Sequence, residues 1–186
     1  MDDAALLRKA CRGDESAFCA LFDRFQRPLY QYAARMCGAS AADDLVQETF
    51  LAVLKPVRFD ESKGSVAAYL FGIARHHIIR RLSTETELVV AADLDDVEGR
   101  TAESPLEGLA RQRTVTAVRA AVDALPPLYR EVVVLCDLQE MEYAIVARVI
   151  DCPIGTVRSR LHRGRALLAR ILASPDSAIR SSCHHG

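Results

Sequence analysis

Thr156, Arg158, Ser159, Arg160 and Arg163 stand close together in a stretch that carries no acid. From Ile154 to Arg170 there are five arginines and His162, with neither Asp nor Glu. Arginine can grip the acceptor edge of guanine with two parallel hydrogen bonds, and Ser and Thr hydroxyls can hold phosphate oxygens. The chemistry open to such a group is recognition of duplex DNA. A solvated basic helix would carry the same charge, and the turn that precedes this one argues against that blander reading.

Two further groups have usable spacing. Tyr69, Phe71, Arg75, His76, Ile79 and Arg80 interleave rings with cations. That mixture suits an unpaired strand, with rings stacking on bases while arginines hold phosphates. Asp44, Gln47, Glu48 and Leu51 fall at i, i+3, i+4 and i+7 and so share one helix face. A polar and acidic face with one leucine suits docking on a partner helix, and plain solvation is its alternative.

Enzyme chemistry finds no support. There is no phosphate-binding glycine loop, no Ser/His/Asp layout and no ligand cluster at metal spacing, so neither cofactor nor metal is expected. None of the six cysteines, Cys11, Cys19, Cys37, Cys136, Cys152 and Cys183, forms a CxxC pair. They read as small buried thiols in a reducing compartment. Cys183-His184-His185 would need a donor from elsewhere to hold a metal. His76 and His77 point about 100° apart on a helix, so one should be partly buried and the other exposed.

The elements that must position these groups are helices. Leu125 to Leu172 reads as two helices, a tight turn and a longer basic helix. The first starts after Pro126-Pro127 and runs to about Cys136. The second covers about Met141 to Ile150. Asp151-Cys152-Pro153 breaks it, because the residue before a proline is pushed out of helical geometry. The third starts near Ile154 and packs through Val157, Leu161, Leu168 and Leu172. Ala147 is small where the last two must cross. This is the layout of a helix-turn-helix, whose second helix enters the major groove.

Upstream, residues 4–36 are helical, with Asp14 as a cap after Gly13 and an apolar face of Phe18, Leu21, Phe22, Phe25 and Leu29. Ala41 to Lys55 forms a helix with Val46, Phe50, Val53 and Leu54 buried. Residues 56–65 are a loop, and Ser65 caps a helix from Val66 to Leu82 whose inward face is Val66, Leu70, Ile73, Ala74 and His77. Ser83 to Gly108 is an acidic, flexible linker. A helix from about Leu106 to Ala124 then packs through Leu109, Val115, Val118, Val122 and Leu125. The tail after Ala173 is frayed.

The net charge of −1 conceals an asymmetry. Residues 1–81 carry 12 basic and 10 acidic side chains, residues 82–110 carry 1 and 8, and residues 111–186 carry 11 and 7. An acidic middle and a basic C-terminal part fit nucleic-acid contact near the end. No apolar run approaches the roughly 20 residues that span a bilayer. Met1-Asp2-Asp3 does not begin a signal peptide, so a cytoplasmic location without membrane insertion is expected.

Two separated blocks together resemble one family. DLVQETFLAVLK, with RFDESKGSVAAYLFGIARHHIIRRL, is similar to region two of bacterial sigma factors. LPPLYREVVVLCDLQEMEYAIVARVIDCPIGTVRSRLHRGRALL is similar to region four. The short length and the absence of a region-three domain resemble the extracytoplasmic-function group of the sigma-70 family.

The resemblance implies an all-α fold of two small domains, a region-two helical bundle over 1–82 and a region-four helix-turn-helix over 109–174. A flexible acidic linker over 83–108 would join them, and 175–186 would be a flexible tail. It implies a non-enzymatic promoter-specificity subunit of RNA polymerase. Asp44, Gln47, Glu48 and Leu51 would dock on the clamp helices of the β′ subunit, and the second domain would meet the β flap. Phe59, Lys63, Ser65, Tyr69, Arg75, His76 and Arg80 would capture and open the −10 element of promoter DNA. Thr156, Arg158, Ser159, Arg160 and Arg163 would read the −35 element. The linker would thread toward the polymerase active-site channel. An anti-sigma factor is the further partner implied.

The chain departs from the family pattern in three places. Tyr69 stands where tryptophan is common, Ala144 and Ile145 replace acids after Tyr143, and Asp151 takes the place of a turn glycine. Asp tolerates left-handed backbone, so the turn should be strained but intact. The reading from a different class is a stand-alone helix-turn-helix regulator, which leaves the region-two block without a role.

Overall fold

The computed structural model describes residues 2–54, 59–89 and 107–173. Every regular element among them is helical. In chain order these are α1 (Asp3–Ala10), α2 (Glu15–Cys37), α3 (Ala39–Leu54), α4 (Val66–Val89), α5 (Glu107–Asp123), α6 (Pro127–Val133), α7 (Tyr143–Val149) and α8 (Ile154–Ala173). A 3₁₀ turn, Glu61–Lys63, precedes α4, and a π-helical segment, Val134–Leu138, extends α6.

Local chemistry sets the boundaries. Asp14 accepts from the Ala17 N–H at 3.0 Å and caps α2, and its carboxyl is held below its ordinary range chiefly by that bond. Asp60 accepts from the Ser62 N–H at 3.0 Å and starts the 3₁₀ turn. Ser65 Oγ accepts from the Ala68 N–H at 3.2 Å and caps α4. Pro127 occupies the first turn of α6, where its missing N–H has no helical partner to lose. Asp151 has φ +51°, the left-handed turn expected of it.

α1 to α4 bury Leu7, Leu21, Leu29, Tyr32, Leu45, Val53, Leu70 and Ile78. α5 to α8 bury Val122, Leu125, Val132, Leu135, Val146 and Val157. The two sets are continuous as one apolar cluster. Each fully buried large side chain contributes about 1.5–3 kcal/mol relative to exposure. α8 crosses α6 closely at Gly164, where an added Cβ would meet Val133 Cγ2 at 2.8 Å.

The structure corrects several expectations. α4 does not stop at Leu82 but continues to Val89, since Ser83 to Leu88 contain no glycine or proline to end it. The packing of α5 near Val115 also differs, because that side chain is 41% exposed. Leu54 is exposed and Leu45 and Thr49 are buried instead, because the inward face of α3 is set by α2 and α4 on either side. Leu172 is exposed, while Leu167, Leu168 and Ile171 pack partly against the core. Phe71 is buried with its ring 5.6 Å from that of Tyr32, so it belongs to the core and not to the stacking surface. Of the flexible linker expected over 83–108, residues 83–89 and 107–108 are helical, and the rest lies outside the described residues, as do the tail after Ala173 and with it Cys183, His184 and His185.

Candidate nucleic-acid and polymerase interfaces

α8 is seated by Val157, Leu161 and Gly164 on its inner side. That seating leaves Arg158, Ser159 and Arg163 exposed on the outside, with Thr156 and Arg160 half-buried beside them. The Ser159 hydroxyl donates to the Thr156 carbonyl at 3.0 Å. Arg165, in the same acid-free run, is turned away to Asp137. The described part of this helix start therefore offers three cations around its accessible surface and no carboxylate.

α7 lies across α8, and the Cys152 N–H reaches back to the Ala147 carbonyl at 3.0 Å. This bond closes the turn that Asp151 makes possible. The geometry is that of a helix-turn-helix with its second helix outermost.

In the N-terminal part, Phe59 and Tyr69 come together with ring centroids 5.4 Å apart. Tyr69 is partly buried, which pushes its phenol above the usual range. His76 and Arg80 are exposed on α4. Ser65 is exposed, but its hydroxyl oxygen is engaged as the cap of α4. The backbone of Lys63 lies in the 3₁₀ turn, and its side chain lies outside the described residues. Arg75 is drawn away from this group, because its Nε donates to Glu131 Oε1 at 2.8 Å.

Asp44, Gln47 and Leu51 form an exposed strip on α3, with Leu51 62% exposed. Glu48 is half-buried beside them. Its Oε2 lies 3.0 Å from His77 Nδ1 and 3.9 Å from Arg80 Nη2, so it also ties α3 to α4. Of the two adjacent histidines, His77 is half-buried and His76 exposed, as the helix geometry requires.

Sequence reasoning missed Tyr32, Glu131 and Arg148. Tyr32 Oη donates to Glu131 Oε1 at 2.8 Å, and both residues are buried. Burial, and then the Glu131 charge, push the Tyr32 phenol well above its ordinary range. The available signal was Glu131 itself, a lone acid immediately before Val132-Val133-Val134-Leu135. A carboxylate in an apolar run needs a partner.

No helix among the described residues is long and apolar enough to cross a membrane. Residues 21–87 match the family described as Sigma-70 region 2, and residues 116–168 match Sigma-70, region 4. The chain is 26% identical to the ECF RNA polymerase sigma factor SigW of Bacillus subtilis (strain 168), over 87% of this chain and 92% of that one. It is 27% identical to the ECF RNA polymerase sigma-E factor of Escherichia coli (strain K12), over 89% and 91%. Among solved structures it resembles CnrH in complex with the cytosolic domain of CnrY, with a TM-score of 0.65, 26% identity, and coverage of 91% of this chain and 96% of that chain. Two family matches in this order, carried on a helix-turn-helix with an outward basic face, show that the chain belongs to the extracytoplasmic-function group of the sigma-70 family, the non-enzymatic promoter-specificity subunits of RNA polymerase.

Proposed function

We propose that this protein divides promoter recognition between its two helical parts. α8 reads the −35 element in the major groove through Arg158, Ser159, Arg160 and Arg163, with Thr156 at the helix start. Phe59, Lys63, Ser65, Tyr69, Arg75, His76 and Arg80 capture and open the −10 element, rings on bases and cations on phosphates. The strip Asp44, Gln47, Glu48 and Leu51 docks on the β′ clamp helices, and the C-terminal part meets the β flap. The first domain, expected over 1–82, extends to the end of α4 at Val89, the second, expected over 109–174, takes in α5 from Glu107 to α8, and the protein acts in the cytoplasm.

The observation that carries this reading is the outward, acid-free start of α8 behind an intact left-handed turn at Asp151. An anti-sigma partner is part of the proposal, supported by the likeness to CnrH, which was solved with the cytosolic domain of CnrY. Run-off transcription with bacterial core polymerase on a pool of promoter fragments tests the whole. Transcripts from a shared two-part motif, made only with the protein present, are expected. Tight duplex binding without any binding to core would mean a stand-alone regulator instead.

A further inference from the structure

The inner side of α8 is set by Val157, Leu161 and Gly164. Successive residues of a helix are turned by about 100°, so the line opposite that side runs through Gly155, Ser159, His162 and Ala166. All four are exposed. A Cβ added at Gly155 would meet nothing within 4 Å, so the space in front of the helix start is open. Gly155, Ser159 and Ala166 are small, and the long side chain on the line is His162. Exposed Arg158 and Arg163 flank it, whereas Thr156 and Arg160 are half-buried nearer the core. The side chain at the centre of the outward face is therefore a histidine and not an arginine.

A histidine at that place differs in kind from its neighbours. Histidines change charge between about pH 5 and 8, where arginines stay charged. Neutral imidazole has one N–H donor and one acceptor nitrogen, whereas imidazolium has two donors and a positive charge. Phosphate oxygens and the N7 and O6 edge of guanine only accept. Imidazolium therefore matches these groups better than imidazole does. α8 itself carries no acid that could pair with it before DNA arrives. α5, α6 and α7 pack on the other side of α8. Tyr129 of α6 lies against Gly164, and Cys136, Asp137 and Tyr143 gather at Arg165, whose guanidinium holds Asp137. Glu131 of α6 is bonded to Tyr32 and Arg75, and Asp123 of α5 to Arg35. Glu142 caps the start of α7, and Asp151 stands in the turn before α8.

We infer that His162 is a further DNA-contacting residue of α8, and that seating α8 on the −35 element takes up a proton at its imidazole. The inference rests on the proposed entry of α8 into the major groove. In the complex the imidazolium donates to acceptor atoms of the duplex, a phosphate oxygen or guanine N7 and O6. One solvent proton enters with the DNA and leaves with it, and no covalent bond to carbon changes. DNA favours the charged form, so affinity rises as pH falls. The gain is lost as pH rises through the range in which the bound imidazolium gives up its proton. The arginines supply binding at every pH, and His162 supplies the part that responds to it.

The test uses holoenzyme reconstituted from core polymerase and the full chain, wild type or carrying His162→Gln or His162→Lys. His162 is exposed, so both variants should melt with wild type. The probe is a fluorescein-labelled promoter duplex carrying the two-part motif found by run-off transcription, and fluorescence anisotropy is read at pH 6 and pH 8. Wild type should bind about fivefold tighter than His162→Gln at pH 6 and equally at pH 8, as one added charge-assisted bond requires. Taking the ratio to His162→Gln cancels the response of polymerase itself to pH. His162→Lys should match wild type at pH 6 and exceed it at pH 8. A phosphate contact makes the salt dependence of wild type steeper by about one at pH 6, and a guanine contact shows as discrimination at one base pair lost in His162→Gln. The same wild-type to His162→Gln ratio at pH 6 and pH 8 would overturn the inference. Unchanged promoter profiles in Arg158→Ala and Arg160→Ala would instead overturn the reading by α8 on which it rests.

Discussion

Asp137 holds Arg165 in a two-point grip, with Nε to Oδ2 at 3.0 Å and Nη2 to Oδ1 at 2.5 Å. The pair ties the π-helical segment after α6 to the middle of α8. It also pushes the Arg165 guanidinium above its already high range, through the hydrogen bond first and the charge second. One arginine of the basic run is thereby engaged in holding the helix in place, which leaves Arg158, Arg160 and Arg163 for the proposed reading of DNA.

Asp137→Ala should therefore destabilise the C-terminal part modestly. Arg165 is more than half exposed, so solvent screening keeps the cost to about 0.5–1 kcal/mol. Urea unfolding followed by circular dichroism measures it. A midpoint equal to wild type would mean that the grip contributes nothing to stability.

Arg158→Ala and Arg160→Ala should each cost about 1–3 kcal/mol of −35 affinity if bidentate to a base, and relax specificity at one position. Selection of promoter variants with the reconstituted holoenzyme checks this. An unchanged promoter profile in both variants would remove these residues from the reading set.

Leu51→Asp should weaken binding to core polymerase while leaving the melting curve close to wild type, because Leu51 is 62% exposed and its replacement exposes no core. It is a cleaner probe than Glu48→Lys with Gln47→Ala, which also removes the carboxylate near His77. Intact polymerase binding by Leu51→Asp would move the docking face elsewhere.

At Asp151 the backbone sits at φ +51°. Glycine takes that geometry freely, so Asp151→Gly should be neutral or stabilising by up to about 1 kcal/mol. Asp151→Val should destabilise by about 1–3 kcal/mol through strain in the turn. Equal melting temperatures for the two variants would show that the turn is not under this constraint.

Burial, and then the neighbouring Asp137 charge, push the Cys136 thiol up to about 11. At pH 8 only about one Cys136 in a thousand is then the reactive thiolate. Alkylation by iodoacetamide, followed peptide by peptide, should lag at Cys136 behind the exposed Cys19 and accelerate as pH rises toward 11. Equal rates at pH 8 would contradict the partly buried setting of Cys136, which, like Cys11, Cys37 and Cys152, is half-buried and not the fully buried thiol expected from the sequence.

Much of the fold was legible residue by residue. The caps at Asp14 and Ser65, the Pro127 start, the Asp151-Cys152-Pro153 turn and the apolar spacing of Val157 and Leu161 are local matters of backbone geometry and helix period. They depend on a few neighbours in the chain, so sequence alone determined them. It also determined the family, because two motif blocks at a fixed spacing carry it. Tertiary structure decided which side chains the two halves share. Phe71 left the expected stacking surface for the core because Tyr32 stands opposite it. Val115 and Leu54 stayed outside despite their apolar character. Glu131 found its donors 99 and 56 residues away, on Tyr32 and Arg75. Helical periodicity marks a face as apolar or polar but does not name the partner that covers it. That choice belongs to packing between distant elements, where one cation can serve a carboxylate or a phosphate and not both.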